Sequence, residues 1–438
     1  MELYRENYLI LHRERSLYIN NVYPMKSSGT NNIEVRVFSV GENTGITGFC
    51  CADHAVRFFE RQYPLAEGMT YNSYVIDDEK LTVVDTVDAS VEKTWRESLD
   101  RFLRGKRSPD YLIVQHLEPD HSAAIGNFMK DFPECRLVCT AKAAQMLPQF
   151  AAGISSERIV AVREGETLDT GCRQLTFLMA PMVHWPEVMV TYDPMSRTLF
   201  SADAFGTFGT ALALQVASGE LSGATLVSDW RGEARRYYAN ICGKYGVQVQ
   251  ALLKKVSALA IARLCPLHGP VINLSEFNPV PLYDRWSSWE PEDNGCVIFV
   301  SSLHGGTLAA AYELETMLAA QGVETRVFDM MGADLAEAVS QAFANKGLVF
   351  MSPTYDGAMM PAMRGLLSRL QSKGLRGRVV GVVENGSWAP VAGRLMTEEL
   401  QRMKDMEIVE PKVTVRTRLT DESRQALEAL AENLAGRL

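Results

Sequence analysis

At 438 residues the chain is longer than a single hydrophobic core accommodates, so two or three domains are expected. Hydrophobic residues make up 47% and charged residues 22%, an ordinary globular balance, and the net charge of −9 argues against a general nucleic-acid binder. No apolar run reaches the about 18 residues of a membrane span, and the start lacks the apolar segment and cleavage site of a secretory signal. The eight Cys contain no C-x-x-C pair, which excludes a zinc ribbon, a rubredoxin module and a thioredoxin-type motif within this chain. Most of the Cys lie in apolar runs and read as buried free thiols of a reducing compartment, so a cytoplasmic protein is expected, with neither nucleic acid nor a membrane as partner.

Residues 1–34 are polar and irregular and read as a leader, either disordered or upstream of a true start at Met25. From residue 35 short β-rich runs alternate with turns. YNSYVI and LTVVDTV flank Asp77 to Lys80, a hairpin signal. Further strands are expected at YLIVQ (111–115), RLVCT (136–140), QLTFLMA (174–180), VMVTY (188–192), TLFS (198–201) and ARLCPL (262–267), with a long helical stretch over 226–257. This predicts a mixed α/β layer domain over 35–290. Pro, Gly and acidic residues cluster between Tyr283 and Asn294, as expected of a linker. A second domain, 295–438, then shows regular alternation. The apolar strands CVIFV (296–300), ETRVF, GLVFM (347–351), RVVGVV (378–383) and KVTV (412–415) are separated by helical stretches, and a helix closes the chain. That pattern predicts a doubly wound parallel sheet covered on both faces.

Four of the seven His fall in one pattern: His116-x-Glu118-x-Asp120-His121, then His184, Asp203 and His268. Each group sits just past an expected strand, where a rigid sheet aims side chains from distant positions into one cleft. A single His such as His12, His54 or His304 is ordinarily a surface or core residue, and a single Asp203 a turn residue. Seven such residues, all following strands, point instead to a pair of metal ions sharing a carboxylate. In the second domain the first strand runs into Ser302-Leu303-His304-Gly305-Gly306-Thr307 before a helix, a turn that surrounds a phosphate with backbone N–H groups. It lacks G-x-G-x-x-G and the lysine of a nucleotide-triphosphate loop. Two more loops, Pro353-Thr354-Tyr355-Asp356-Gly357 and Asn385-Gly386-Ser387-Trp388, follow parallel strands at the ligand-binding edge of such sheets. Tyr355 and Trp388 suit a planar ring, and together the three loops favour FMN.

The segments GMTYNSY (68–74), HLEPDHS (116–122), APMVHWPE (180–187), LFSADAFGTFG (199–209), CPLHGP (265–270), SSLHGGT (301–307) and SPTYDG (352–357) make the chain from about residue 35 resemble the flavodiiron proteins. The resemblance implies a metallo-β-lactamase-like αββα sandwich followed by a flavodoxin-like doubly wound parallel sheet. It implies two non-haem irons and FMN, with reduction of oxygen to water or nitric oxide to nitrous oxide. One iron would take His116, Glu118 and His184, the other Asp120, His121 and His268, with Asp203 bridging; the position of His121 is not always a ligand in the family. The phosphate loop departs from the family pattern in having His at 304 and Gly at 306. The resemblance further implies an external electron donor such as rubredoxin or a reductase, and a head-to-tail homodimer or dimer of dimers. Lactamase-type hydrolases commonly carry HxHxDH; Glu118 replaces the second His here. A carboxylate-rich site suits iron or manganese, so a metal-dependent hydrolase fused to an electron-transfer flavodoxin is the less favoured alternative. Trp185, Glu187, Tyr192 and Phe205 are the residues expected around the metal ligands to tune oxygen against nitric oxide.

Overall fold

The computed structural model describes residues 32–220 and 224–438, so residues 1–31 of the expected leader lie outside the described residues. The first described strand, Ile33–Ser39, begins two positions before residue 35. It opens a seven-stranded sheet ordered Ile33–Ser39, Ile46–Asp53, Met69–Ile76, Thr82–Val84, Tyr111–Ile113, Arg136–Thr140 and Ile159–Val162. Pairing is antiparallel up to Thr82–Val84 and parallel from there on. A six-stranded sheet follows, ordered Thr167–Asp169, Gln174–Met179, Met189–Asp193, Thr198–Phe200, Arg263–Cys265 and Ile272–Asn273.

Period-two alternation explains how these sheets stack. Along Gln174–Met179, Leu175 and Phe177 enter an inter-sheet core with Ile46, Tyr74, Ile113, Val138 and Phe200. Leu178, from the same strand, points to the other face and joins Leu199, Leu264 and Leu252 beneath the helices. Helix Glu92–Leu103 covers the first sheet through Trp95 and Leu99. The helical stretch expected over 226–257 is two helices, Ala224–Ile241 and Gly246–Val256, broken at Gly243–Tyr245. The result is helices outside two packed sheets.

The second half forms a parallel sheet ordered Thr325–Asp329, Asp293–Val300, Asn345–Tyr355, Val379–Asn385 and Glu407–Ile408, with Val413–Val415 also beside Val379–Asn385. In chain order this is 2-1-3-4-5, the flavodoxin-like arrangement. Ile298 and Val300 face a core with Leu314, Leu427 and Leu430, whereas Val297 and Phe299 face the opposite side.

The junction differs from expectation. The stretch that reads as a linker overlaps the helix Val280–Ser287, and Tyr283 and Trp286 are 1% and 0% exposed. Trp286 stacks on Trp230 at 5.9 Å, and its Nε1 donates to Glu292 at 2.6 Å. Tyr238 meets Phe343 of the second half, and Arg378, 1% exposed, donates to the carbonyls of Trp289, Ala342 and Phe343. One apolar cluster therefore runs through both halves.

Candidate metal centre and phosphate loop

Each expected ligand leaves the end of a strand. His116 follows Tyr111–Ile113, and Glu118 is the extended residue ahead of the single helical turn Pro119–Ser122. Pro119 suits that first helical position because its missing N–H would be unpaired there anyway. Asp120 and His121 lie on the turn itself, and Ser122 Oγ anchors it to the carbonyl of Leu117 at 2.8 Å. His184 follows Gln174–Met179, Asp203 follows Thr198–Phe200, and His268 follows Arg263–Cys265. Gly269 holds φ +77 with its N–H donating to Thr70 Oγ1 at 2.8 Å, and any Cβ there would strike Thr207, so only glycine lets the chain turn away behind His268.

The structure brings all seven side chains together, all of them buried, as two groups: His116, Glu118, His184 and Asp203, and Asp120, His121 and His268. His184 Nε2 lies 2.9 Å from Glu118 Oε2 and 3.2 Å from Asp203 Oδ2, and His116 Nε2 lies 3.2 Å from Glu118 Oε2. The other oxygen of Asp203, Oδ1, is 3.2 Å from His121 Nε2 and 3.9 Å from His268 Nε2. Asp203 thus turns one oxygen to each group. His268 Nε2 is 3.2 Å from Asp120 Oδ2.

Second partners fix the rings. His116 Nδ1 donates to Glu187 Oε1 at 2.9 Å, and His268 Nδ1 donates to the Thr70 carbonyl at 2.6 Å. A carboxylate and a carbonyl can only accept, so each neutral ring carries its lone pair on Nε2, facing inward. His121 and His268 then meet Nε2 to Nε2 at 3.1 Å. Asp120 Oδ1 and Oδ2, Asp203 Oδ1 and His121 Nδ1 are buried with no hydrogen-bond partner among the described residues. Lone pairs and carboxylates packed this closely repel unless protons or cations sit among them, so the donor set fits metal ions. The charges show the same strain. Burial lowers the affinity of His184 for a proton, but Asp203 and Glu118 outweigh it and raise its pKa to about 9. Burial would raise the carboxyl of Glu118, yet His116 and His184 hold it well below the ordinary range. Asp203 is held down likewise against burial by His121 and His184.

Of the residues expected around the ligands, Glu187 supports His116 directly and also accepts from the Leu117 N–H at 2.9 Å. The Trp185 ring lies edge-on to His116 at 5.3 Å. Tyr192 does not belong with them: its hydroxyl donates to the Ala260 carbonyl at 2.9 Å and it makes no contact with the ligands among the described interactions. Phe205 packs on Tyr283 at 4.3 Å. Sequence reasoning missed Thr70 and Tyr237. The Tyr237 ring is 5.6 Å from His268, and its buried hydroxyl has no partner among the described residues.

At the other end of the chain, Gly305, at φ +84, caps the helix Gly306–Ala320. A Cβ on Gly306 would collide with the Thr417 carbonyl. Thr307 is buried, its Oγ1 accepting from Asn385 Nδ2 at 3.2 Å, while Asn385 Oδ1 accepts the Thr417 N–H at 2.9 Å. These bonds join two of the three expected loops to a fourth, after Val413–Val415, that sequence reading did not name. Ser387 and Thr417 share a short hydroxyl hydrogen bond. Pro353, Thr354 and Tyr355 are strand rather than loop, turning at Asp356 and Gly357 (φ 49 and 68) into a hairpin with Ala358–Met359. Thr354 Oγ1 accepts from the Val391 and Ala392 N–H groups at 2.9 and 3.2 Å. Leu303, Tyr355 and Trp388 are 46, 41 and 82% exposed, and His304, Gly386 and Ser387 border the same edge.

The two layers of sheet with their seven-donor cluster, followed by a 2-1-3-4-5 parallel sheet, define a lactamase-like domain joined to a flavodoxin-like one. The model of the ODP family beta lactamase matches residues 69–269. A nitric oxide reductase of Moorella thermoacetica is 29% identical over 400 residues, covering 90% of this chain and 97% of that protein. The flavodiiron protein of Giardia intestinalis superimposes with a TM-score of 0.82 at 25% identity, over 94% of this chain and 98% of that one. The rubredoxin oxygen:oxidoreductase of Desulfovibrio gigas does so with a TM-score of 0.83 at 23% identity, over 92% and 98%, a likeness of fold. By sequence and by domain order, the chain is similar to the flavodiiron proteins.

Proposed function

We propose that the protein is a flavodiiron oxidoreductase that reduces oxygen to water, nitric oxide to nitrous oxide, or both. The observation that carries this reading is the pair of buried donor groups that share Asp203 and contain Glu118 in place of a further imidazole. His116, Glu118 and His184 would hold one iron, Asp120, His121 and His268 the other, with Asp203 between them. Ser302, Gly305, Gly306, Thr307, Asn385 and Ser387 would hold the phosphate side of FMN, and Tyr355 and Trp388 its ring. When bound, the irons supply the reduction centre and FMN supplies the electrons. Glu187 and Thr70 orient His116 and His268. The apolar walls around the cluster exclude bulk water, and Tyr237 offers a hydroxyl beside it.

A hydrolase is less favoured because the added carboxylate draws the site away from the nitrogen- and sulfur-rich sets that suit zinc. The names of the relatives support nitric oxide or oxygen as substrate and a rubredoxin as donor. A cytoplasmic location is in keeping with seven buried free Cys, and no described helix is long and apolar enough to cross a membrane.

The test is metal and flavin analysis together with one substitution. Protein produced with iron available should carry about two irons and one FMN per chain and consume oxygen or nitric oxide when a rubredoxin and its reductase are supplied. Glu118→His should lower iron retention or turnover by about tenfold or more. Stoichiometric zinc with hydrolase activity, or unchanged turnover in Glu118→His, would overturn this assignment.

A further inference from the structure

The two parallel strands that carry Asp203 and His268 at their carboxyl ends have a cavity at their amino ends. Arg197 immediately precedes Thr198–Phe200, and Arg263 opens Arg263–Cys265. Together with Arg173, Ser196, Asn43 and Glu42 they line a cavity of about 310 Å³. Three guanidiniums on one cavity are unusual for a chain of net charge −9, and one exposed carboxylate, Glu42, stands against them.

Their pairing is unequal. Arg173 is 6% exposed. Its Nη1 is paired with Asp193, and its Nη2 donates to the Thr44 carbonyl. Asp193 is shared, since it also accepts from Ser196 Oγ at 2.6 Å and from the Met195 N–H at 3.0 Å. Arg173 Nε is buried with no hydrogen-bond partner, and the carboxylate of Asp78 lies 4.0 Å from it. Arg263 Nε is likewise cut off from solvent without a partner, while its Nη1 donates to the Ser196 carbonyl at 3.2 Å. Neither Arg263 nor Arg197 forms an ion pair among the described residues. Two guanidinium charges therefore stand on the cavity unpaired among the described residues, with Glu42 the one carboxylate on its lining, next to a third whose inner N–H is unsatisfied. Guanidinium forks match the oxygens of phosphate-type anions in pairs of parallel hydrogen bonds.

We propose that this cavity is a binding site for a phosphate-type oxyanion, separate from the metal centre and from the flavin phosphate loop. Its volume admits either a free oxyanion or the phosphoryl end of a small organic phosphate. Arg197 and Arg263 form the ionic contacts, and the Asn43 side chain supplies a further donor.

Isothermal titration calorimetry on the flavin- and metal-loaded full chain tests it, with inorganic phosphate in one arm and adenosine monophosphate in the other. Saturable binding of one phosphate per chain is expected, weakened about tenfold or more in Arg197→Gly and in Arg263→Met. Arg197→Gly is the cleaner variant, because Arg197 sits at φ 54 and glycine adopts that backbone without strain. Tighter binding of adenosine monophosphate than of phosphate would mark a phosphorylated small molecule as the ligand, and equal or weaker binding a free oxyanion. No saturable heat from either compound up to about 10 mM overturns the proposal. Phosphate binding that is unchanged in both variants places the anion elsewhere and overturns it as well.

Discussion

His184 links the geometry of the donor cluster to a measurable pH dependence. With its ring against Asp203 and Glu118, it keeps its proton up to about pH 9, and a metal ion has to displace that proton. Apparent metal affinity of the stripped protein should therefore fall as pH drops below about 9, by about tenfold per unit for each proton released. A competition titration with a chelator of known affinity, run from pH 6.5 to 9.5, measures the slope; a flat profile would contradict the placement of His184 between two carboxylates. The chemistry of this cluster was legible in the sequence because every candidate ligand follows a strand, and strand ends converge in a layered sheet. The supports were not. Thr70 reaches His268 across 198 positions, and Tyr237 lies on a helix face, beside Trp230, Ala234 and Tyr238, that reads as plain core. Nothing local to Thr70 or Tyr237 announces a partner, since the contact exists only once the sheets have stacked.

At the scale of the element, the helix Val280–Ser287 shows where composition misleads. The Pro and acidic residues after it do mark the break between helix and strand, at Trp289 to Glu292, whereas Gly295 already lies in the strand Asp293–Val300. Tyr283 and Trp286, three apart, lie on one helical face and are buried against Trp230 and Tyr238. A linker reading weighs polar composition and overlooks that spacing. The helix packs on Ala224–Ile241, whose Tyr238 in turn meets Phe343 of the second half, so Trp286→Ala should cost about 3–5 kcal/mol through the cavity alone. It also removes the indole N–H from Glu292, leaving that carboxylate to Arg231 and Arg235. Unfolding followed by tryptophan fluorescence and by circular dichroism should be a single coincident transition in the parent protein, and should separate into two in Trp286→Ala. A variant with an unchanged midpoint would mean that the shared apolar cluster does not couple the halves. Strands such as Arg136–Thr140 and Gln174–Met179, by contrast, were readable to within a residue, because continuous apolar runs and period-two alternation are properties of the strand itself, whereas Ile33–Ser39, Ile46–Asp53, Ile159–Val162 and Thr167–Asp169 were not picked out.

For the molecule as a whole, the question is how electrons cross from the flavin edge to the metal cluster. That edge exposes Leu303, Met331, Tyr355 and Trp388, and no described hydrogen bond, ion pair or ring contact joins its loops to the metal ligands of the same chain. An apolar rim of this kind calls for a cover. A second copy that laid its own metal-centre mouth over the rim would bury it and bring the two cofactors together, in a closed two-fold pair. Complementation by co-expression checks this. One chain carries Asp203→Ala and so lacks the shared carboxylate between the donor groups. The other carries Ser302→Ala and Thr307→Ala, which remove two hydroxyls from the phosphate loop and break the Thr307–Asn385 bond. Each variant alone should reduce neither oxygen nor nitric oxide at more than a few per cent of the parent rate. In the mixed dimer, the intact flavin loop of the first chain faces the intact metal cluster of the second, and up to about half of the parent rate should return, since one of two cross-chain pairs is whole. Were the cofactors to pair within a chain, neither chain would hold both, and a purified heterodimer would stay as inactive as its parents.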